Sequence, residues 1–152
     1  MTAPRLVGVL HPVIVTRDMA NALGFYRDLL GFRVRQEMTH DPAMLARLGG
    51  PVDAEATAVI LHAPDGSEIE IACFTRPSGL SRSETGWTDA GIRSITFVVE
   101  GIDEMLARLD RAGHRRGGEI LSLTVEGKAV RVAYVGGPDG VVLTLLERET
   151  AR

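Results

Sequence analysis

Asp18-Met19-Ala20-Asn21-Ala22-Leu23-Gly24-Phe25-Tyr26-Arg27-Asp28-Leu29-Leu30-Gly31 is an amphipathic stretch that carries its own start and stop signals. Met19, Leu23, Tyr26 and Leu30 recur at helical spacing and so share one apolar face. Asp18 caps the helix by accepting from free backbone N–H groups. Gly31 ends it in the left-handed conformation that glycine adopts without strain. The apolar runs 7–15 before it and 32–38 after it read as strands. The arrangement then returns. An apolar run over 92–99 leads into Ile102-Asp103-Glu104-Met105-Leu106-Ala107-Arg108-Leu109-Asp110-Arg111-Ala112, followed by Gly113. Ile102, Met105, Leu106 and Leu109 repeat the apolar face.

Each copy continues to a Pro-Asp-Gly tripeptide, at 64–66 and at 138–140. Asp-Gly between apolar runs marks a hairpin, because the turn needs positive φ. Strands over 58–63 and 69–74 pair around the first turn, and strands over 128–135 and 141–146 around the second. Residues 121–125 supply the strand that matches 32–38. Each copy therefore reads strand, helix and three more strands. The fold class expected is α+β, with two βαβββ modules in tandem. The chain is read as one domain over 1–152, with module one at about 6–74, a linker over 75–91 and module two at about 92–148. Residues 39–57 are an insertion, with a short helix over 42–48.

Composition narrows the function classes. The chain has 152 residues, 45% hydrophobic and 24% charged, which suits a globular domain and rules out disorder over most of its length. Seventeen basic against twenty acidic residues give a net charge of −3 without a basic patch, which argues against nucleic acid as a partner. No apolar run has the length of a membrane span, and the first residues lack a signal peptide's apolar stretch. The lone Cys73 excludes an internal disulfide and fits a cytoplasmic location.

His11, Asp18, the segment Phe25-Tyr26-Arg27-Asp28-Leu29-Leu30-Gly31-Phe32, both Pro-Asp-Gly turns and Ile69-Glu70-Ile71 together resemble the vicinal oxygen chelate superfamily. That superfamily includes glyoxalase I, methylmalonyl-CoA epimerase, extradiol dioxygenases and the fosfomycin- and bleomycin-resistance proteins. The resemblance covers about 7–147 and implies that the two modules form a U-shaped trough of mixed sheet and that the chain pairs as a homodimer. In metal-using relatives each module gives one ligand from its first strand and one from its last. His11 and Glu70 stand at those positions in module one. The Pro-Asp-Gly turns lie 74 residues apart, which maps Glu70 onto Thr144. Val15 maps onto Val98, which sends His11 to Ser94. The second copy thus has hydroxyls where imidazole or carboxylate is expected, and hydroxyls are poor ligands for zinc, iron, nickel or manganese. If a divalent metal binds, His11 and Glu70 are its expected ligands, but the set is incomplete.

Each candidate has a plainer alternative. His11 is either a site residue or a core histidine satisfied by a neighbour. Glu70 lies within an apolar strand, where a carboxylate is costly unless paired, so a site role is favoured. Glu68, on the same face, is expected to be solvated. His62 reads as a strand-end surface residue, and His40 and His114 as exposed loop residues. Ser94 and Thr144 take the place of the lost ligands and bind substrate. Arg93 meets an anionic group or simply solvent, and Trp87 closes over a ligand or anchors its loop. Arg131 faces the trough or solvent.

Two functions follow. The first is an enzyme, an isomerase, epimerase or lyase acting by proton transfer on a carbonyl-bearing small molecule, with Glu70 and His11 catalytic and ring-cleaving dioxygenase chemistry disfavoured. The second is a metal-free protein of the bleomycin-resistance type that binds and sequesters an antibiotic. Only 5% of residues are aromatic, which weighs against the stacking grooves of such binders.

Overall fold

The computed structural model describes residues 5–6, 8–77, 91–92 and 94–148. The chain divides into two compact units, Met1–Leu80 and Ser81–Arg152, and each carries one βαβββ module. In the first, β1 (Val13–Thr16), α1 (Met19–Leu23), β2 (Arg33–His40), α2 (Pro42–Arg47), β3 (Glu55–His62) and β4 (Glu68–Arg76) build a sheet of order β1-β4-β3-β2. In the second, β5 (Ile95–Val98), α3 (Ile102–Arg111), β6 (Leu121–Val125), β7 (Lys128–Gly136) and β8 (Val142–Arg148) build the same sheet, β5-β8-β7-β6. The first strand of each module runs parallel to the last, and the other pairs are antiparallel.

The expected helix over 18–30 forms with a change of winding. Asp18 Oδ1 accepts from Asn21 N–H at 3.0 Å, and α1 runs to Leu23. A π-helical turn, Gly24–Leu29, follows, in which Leu30 N–H reaches back five residues to the Phe25 carbonyl. The wider turn carries two successive aromatic residues inward, so the buried face centres on Ala22, Phe25 and Tyr26 rather than on the predicted stripe. The two rings meet edge to face, with centroids 5.0 Å apart. Gly31, at φ +89°, then ends the helix as expected.

The first strand is shorter than predicted. Pro12 accepts from Glu70 N–H through its carbonyl but has no N–H of its own, so the two-way ladder begins at Val13. Conversely, β2 extends through His40 and β3 starts at Glu55, so both ends of the predicted insertion are strand. Its short helix is present as α2, capped by Asp41. At the second hairpin, Asp139 and Gly140 both take positive φ, 56° and 81°, as the Asp-Gly reading requires. No helix among the described residues is long and apolar enough to cross a membrane.

Helices cover one face of each sheet. α1 packs on β4, and Ile14, Thr16, Val59, Leu61, Ile69 and Ile71 are buried on that side. α3 packs on β8 above Ala133, Val135, Leu143 and Leu145. Residues between these point to the opposite face. There Val13 and Val15 in module one, and Val98, Leu121, Leu123 and Tyr134 in module two, are exposed.

Candidate functional site

Glu70 stands on the uncovered face of the first sheet, paired with Val13 on one side and Ile60 on the other. His11 precedes β1 by two residues, and its Nε2 lies 3.1 Å from Glu70 Oε2. The predicted pair is therefore in contact, 59 residues apart in sequence. Both side chains are mostly enclosed, 12% and 14% exposed, so the carboxylate inside an apolar strand has the partner that its burial demands.

Two further groups join them. His40, at the end of β2, points along the same face, with Nε2 3.7 Å from Glu70 Oε1. It is a half-buried strand residue, not the exposed loop residue expected. Glu68 is likewise enclosed rather than solvated, its side chain 8% exposed and its Oε2 3.7 Å from His11 Nδ1. Arg35 forms an ion pair with Glu68 Oε1. In the β2–β3 ladder Val34 faces Leu61 and Gln36 faces Ile60, so Arg35 is the extra residue of a bulge. The guanidinium, and after it His11, holds the Glu68 carboxyl below the usual carboxylate range. His62 lies across the ladder from Glu68.

The second module repeats the geometry with different chemistry. Thr144 pairs with Thr96 and Tyr134, as Glu70 pairs with Val13 and Ile60. Ser94 precedes Thr96 by two residues, as His11 precedes Val13. The sequence superposition is thus the structural one. Ser94 Oγ and Thr144 Oγ1 are 3.0 Å apart, bonded to each other where module one has imidazole on carboxylate. Arg131 lies on the helix side and bonds to Asp103 and Glu147, away from the uncovered face. His114 Nδ1 is 3.2 Å from the Gly136 carbonyl, so it too is more than a free loop residue. Arg93 and Trp87 lie outside the described residues.

Whether these groups suit a metal turns on the donors. Imidazole and carboxylate are good ligands, and module one has both. His11 and His40, however, approach different oxygens of Glu70, so the carboxylate separates them rather than sharing an ion with them. Among the described residues no three His, Cys, Asp or Glu side chains are grouped to hold a metal ion. The equivalent pair in module two offers only neutral hydroxyls. The donor set does not fit a resident metal.

Comparison with known proteins agrees with the fold. Residues 8–145 match the family model of the Glyoxalase/Bleomycin resistance protein/Dioxygenase superfamily, and the chain belongs to that superfamily. A glyoxalase family protein from Bacillus cereus superposes with a TM-score of 0.84 at 25% identity, covering 99% of both chains. A fosfomycin resistance protein from Listeria monocytogenes superposes at 0.63 with 16% identity over 93% of both, which is a likeness of fold alone. An iron-dependent extradiol dioxygenase from Rhodococcus jostii is 30% identical over 105 residues, 69% of this chain. The match spans 31% of that dioxygenase's length.

Proposed function

We propose that the chain is an enzyme of proton transfer, acting on a small molecule with an acidic C–H beside a carbonyl. One observation carries this: a mostly buried carboxylate, Glu70, on an uncovered sheet face, with an imidazole on each of its two oxygens. Glu70 takes the proton as the C–H bond breaks, and the electron pair moves into the enolate. Return of the proton to carbon or oxygen makes the outcome an isomerisation or an epimerisation; where a β-leaving group is present, the enolate's electron pair expels it instead and the proton passes from Glu70 to the leaving group or solvent, an elimination. His11, bonded to the carboxylate, fixes the orientation of the oxygen that moves the proton.

The test is deuterium wash-in from D2O at the α-carbon, followed by proton NMR across a panel of small 2-oxo and β-oxo compounds. Glu70→Gln keeps the shape of the side chain but removes the base, and exchange should fall by about 100-fold or more. Full exchange in that variant overturns the reading. The alternative, a sequestering protein, is favoured by the hydroxyl pair of module two. It predicts a ligand bound reversibly and recovered unchanged, with no exchange in the wild type.

A further inference from the structure

The proposed chemistry uses Glu70 and His11, yet His11 has a second ring nitrogen. Its Nδ1 is buried without a hydrogen-bond partner. The group facing it is Glu68 Oε2, at 3.7 Å. A shift of about half an ångström brings the two into hydrogen-bond range. Glu68 itself is fastened from the other side by Arg35, which reaches it from the bulge in β2. Val34 pairs with Leu61 on the helix side, so alternation alone turns Arg35 toward the face of Glu68, and the bulge leaves it opposite no residue of β3.

We infer that Glu68 is a positioning residue for the proton-transfer site: it accepts His11 Nδ1–H while Glu70 accepts Nε2–H, so that His11 carries both ring protons between the two carboxylates, and Arg35 fixes Glu68 in place. The inference rests on the reading of Glu70 as the base. An imidazole that donates from both ring nitrogens to two carboxylates has its ring plane fixed, and neither carboxylate then faces a bare nitrogen lone pair. The row on the sheet face is Arg35, Glu68, His11, Glu70 and His40, in which carboxylates alternate with nitrogen bases. The depressed Glu68 carboxyl agrees with its acting as an ionised acceptor. His11 is thereby gripped at both nitrogens, while Glu70 keeps its second oxygen toward His40.

The experiment is long-range nitrogen–proton NMR on histidine-labelled full-length protein. The chain has four histidines, and a His11→Gln variant identifies the signals of interest. In the wild type His11 should show a protonated Nδ1 in slow exchange with water. Glu68→Leu removes the acceptor, and the slowly exchanging Nδ1–H signal should be lost, leaving only Nε2–H toward Glu70. Glu68→Gln restores an acceptor oxygen and should recover the Nδ1–H signal, which a merely space-filling role does not predict. Arg35→Met leaves Glu68 unanchored, and the exchange rate of the Nδ1 proton should rise about tenfold. If Glu68→Leu does not fold, Arg35→Met decides. Unchanged His11 signals in a folded Glu68→Leu or Arg35→Met protein overturn the inference. The result is separable from the function. Full exchange activity in Glu70→Gln removes the base but leaves the His11 Nδ1–H result standing. A negative Nδ1–H result leaves the base in place without its positioning residue.

Discussion

Glu70 is approached by His11 on one oxygen and by His40 on the other, so an enclosed carboxylate has a polar neighbour at each of its oxygens. The loss expected in Glu70→Gln therefore belongs to this residue alone and should leave the fold intact, with an unchanged far-UV spectrum as the check. The contact between His11 and Glu70 was legible only through the family resemblance, which sets the two residues at fixed distances from the Asp18 cap and the Asp65-Gly66 turn. His40 was not, because a strand that lacks a turn signal at its end gives no clue to where it stops, and β2 passes its predicted end by two residues. Glu68 was misread for another reason. Its partner, Arg35, stands on a strand two places away in the sheet, and nothing in the sequence of β4 says which residue of β2 will reach it.

At the scale of the element, α3 shows how one strand residue serves a helix it does not belong to. The helix begins at Gly101, in the left-handed region at φ +70°, with no side-chain cap of its own. Glu147 on β8 supplies one, accepting from Gly101 N–H at 2.6 Å and from Ile102 N–H at 3.1 Å. A negative group at the positive end of a helix is favourable. Glu147→Ala should cost about 1 kcal/mol, read as a lower urea midpoint at unchanged slope. Arg131 ties the same carboxylate to Asp103 in the first turn of α3.

That tie sets a pH dependence. Arg131 holds the Asp103 carboxyl below its ordinary value of 3.8, so ionised Asp103 favours the folded state. The contribution is complete above the ordinary value and is lost as pH falls through the lower, folded one. Urea midpoints should decline below about pH 4, and Asp103→Asn should show a lower plateau with a shallower decline, so that the two proteins converge at the acid end. The helices themselves were legible from spacing and caps. The π-helical turn was not, because the pattern of apolar residues fixes which side is wet but not how many residues each turn holds.

Over the whole molecule, one strand order is used twice with a different chemical outcome in each use. The doubled fold could be read because helix signals, turn signals and strand lengths repeat, and each of these is local. What each copy does with its central position could be read only after the copies were superposed. Ser94 and Thr144 satisfy each other at 3.0 Å, and this invites a double-mutant cycle within module two. Ser94→His alone and Thr144→Glu alone each put an unmatched polar or charged group into a part-buried place, at about 1–3 kcal/mol. The two together recreate the pairing seen in module one, and the double variant should be at least about 1 kcal/mol more stable than the sum of the single changes predicts, as measured by denaturation.

The same hydroxyl pair constrains history. If both halves descend from one ancestral module, the imidazole–carboxylate contact and the hydroxyl–hydroxyl contact are two endpoints of descent. Any lineage passing between them one substitution at a time must cross a protein with a single mismatched partner in that place. The crossing is a valley whose depth is the interaction energy of the pair. Lineages should therefore hold both residues of a pair or neither, and the two positions should be inherited as one character rather than two.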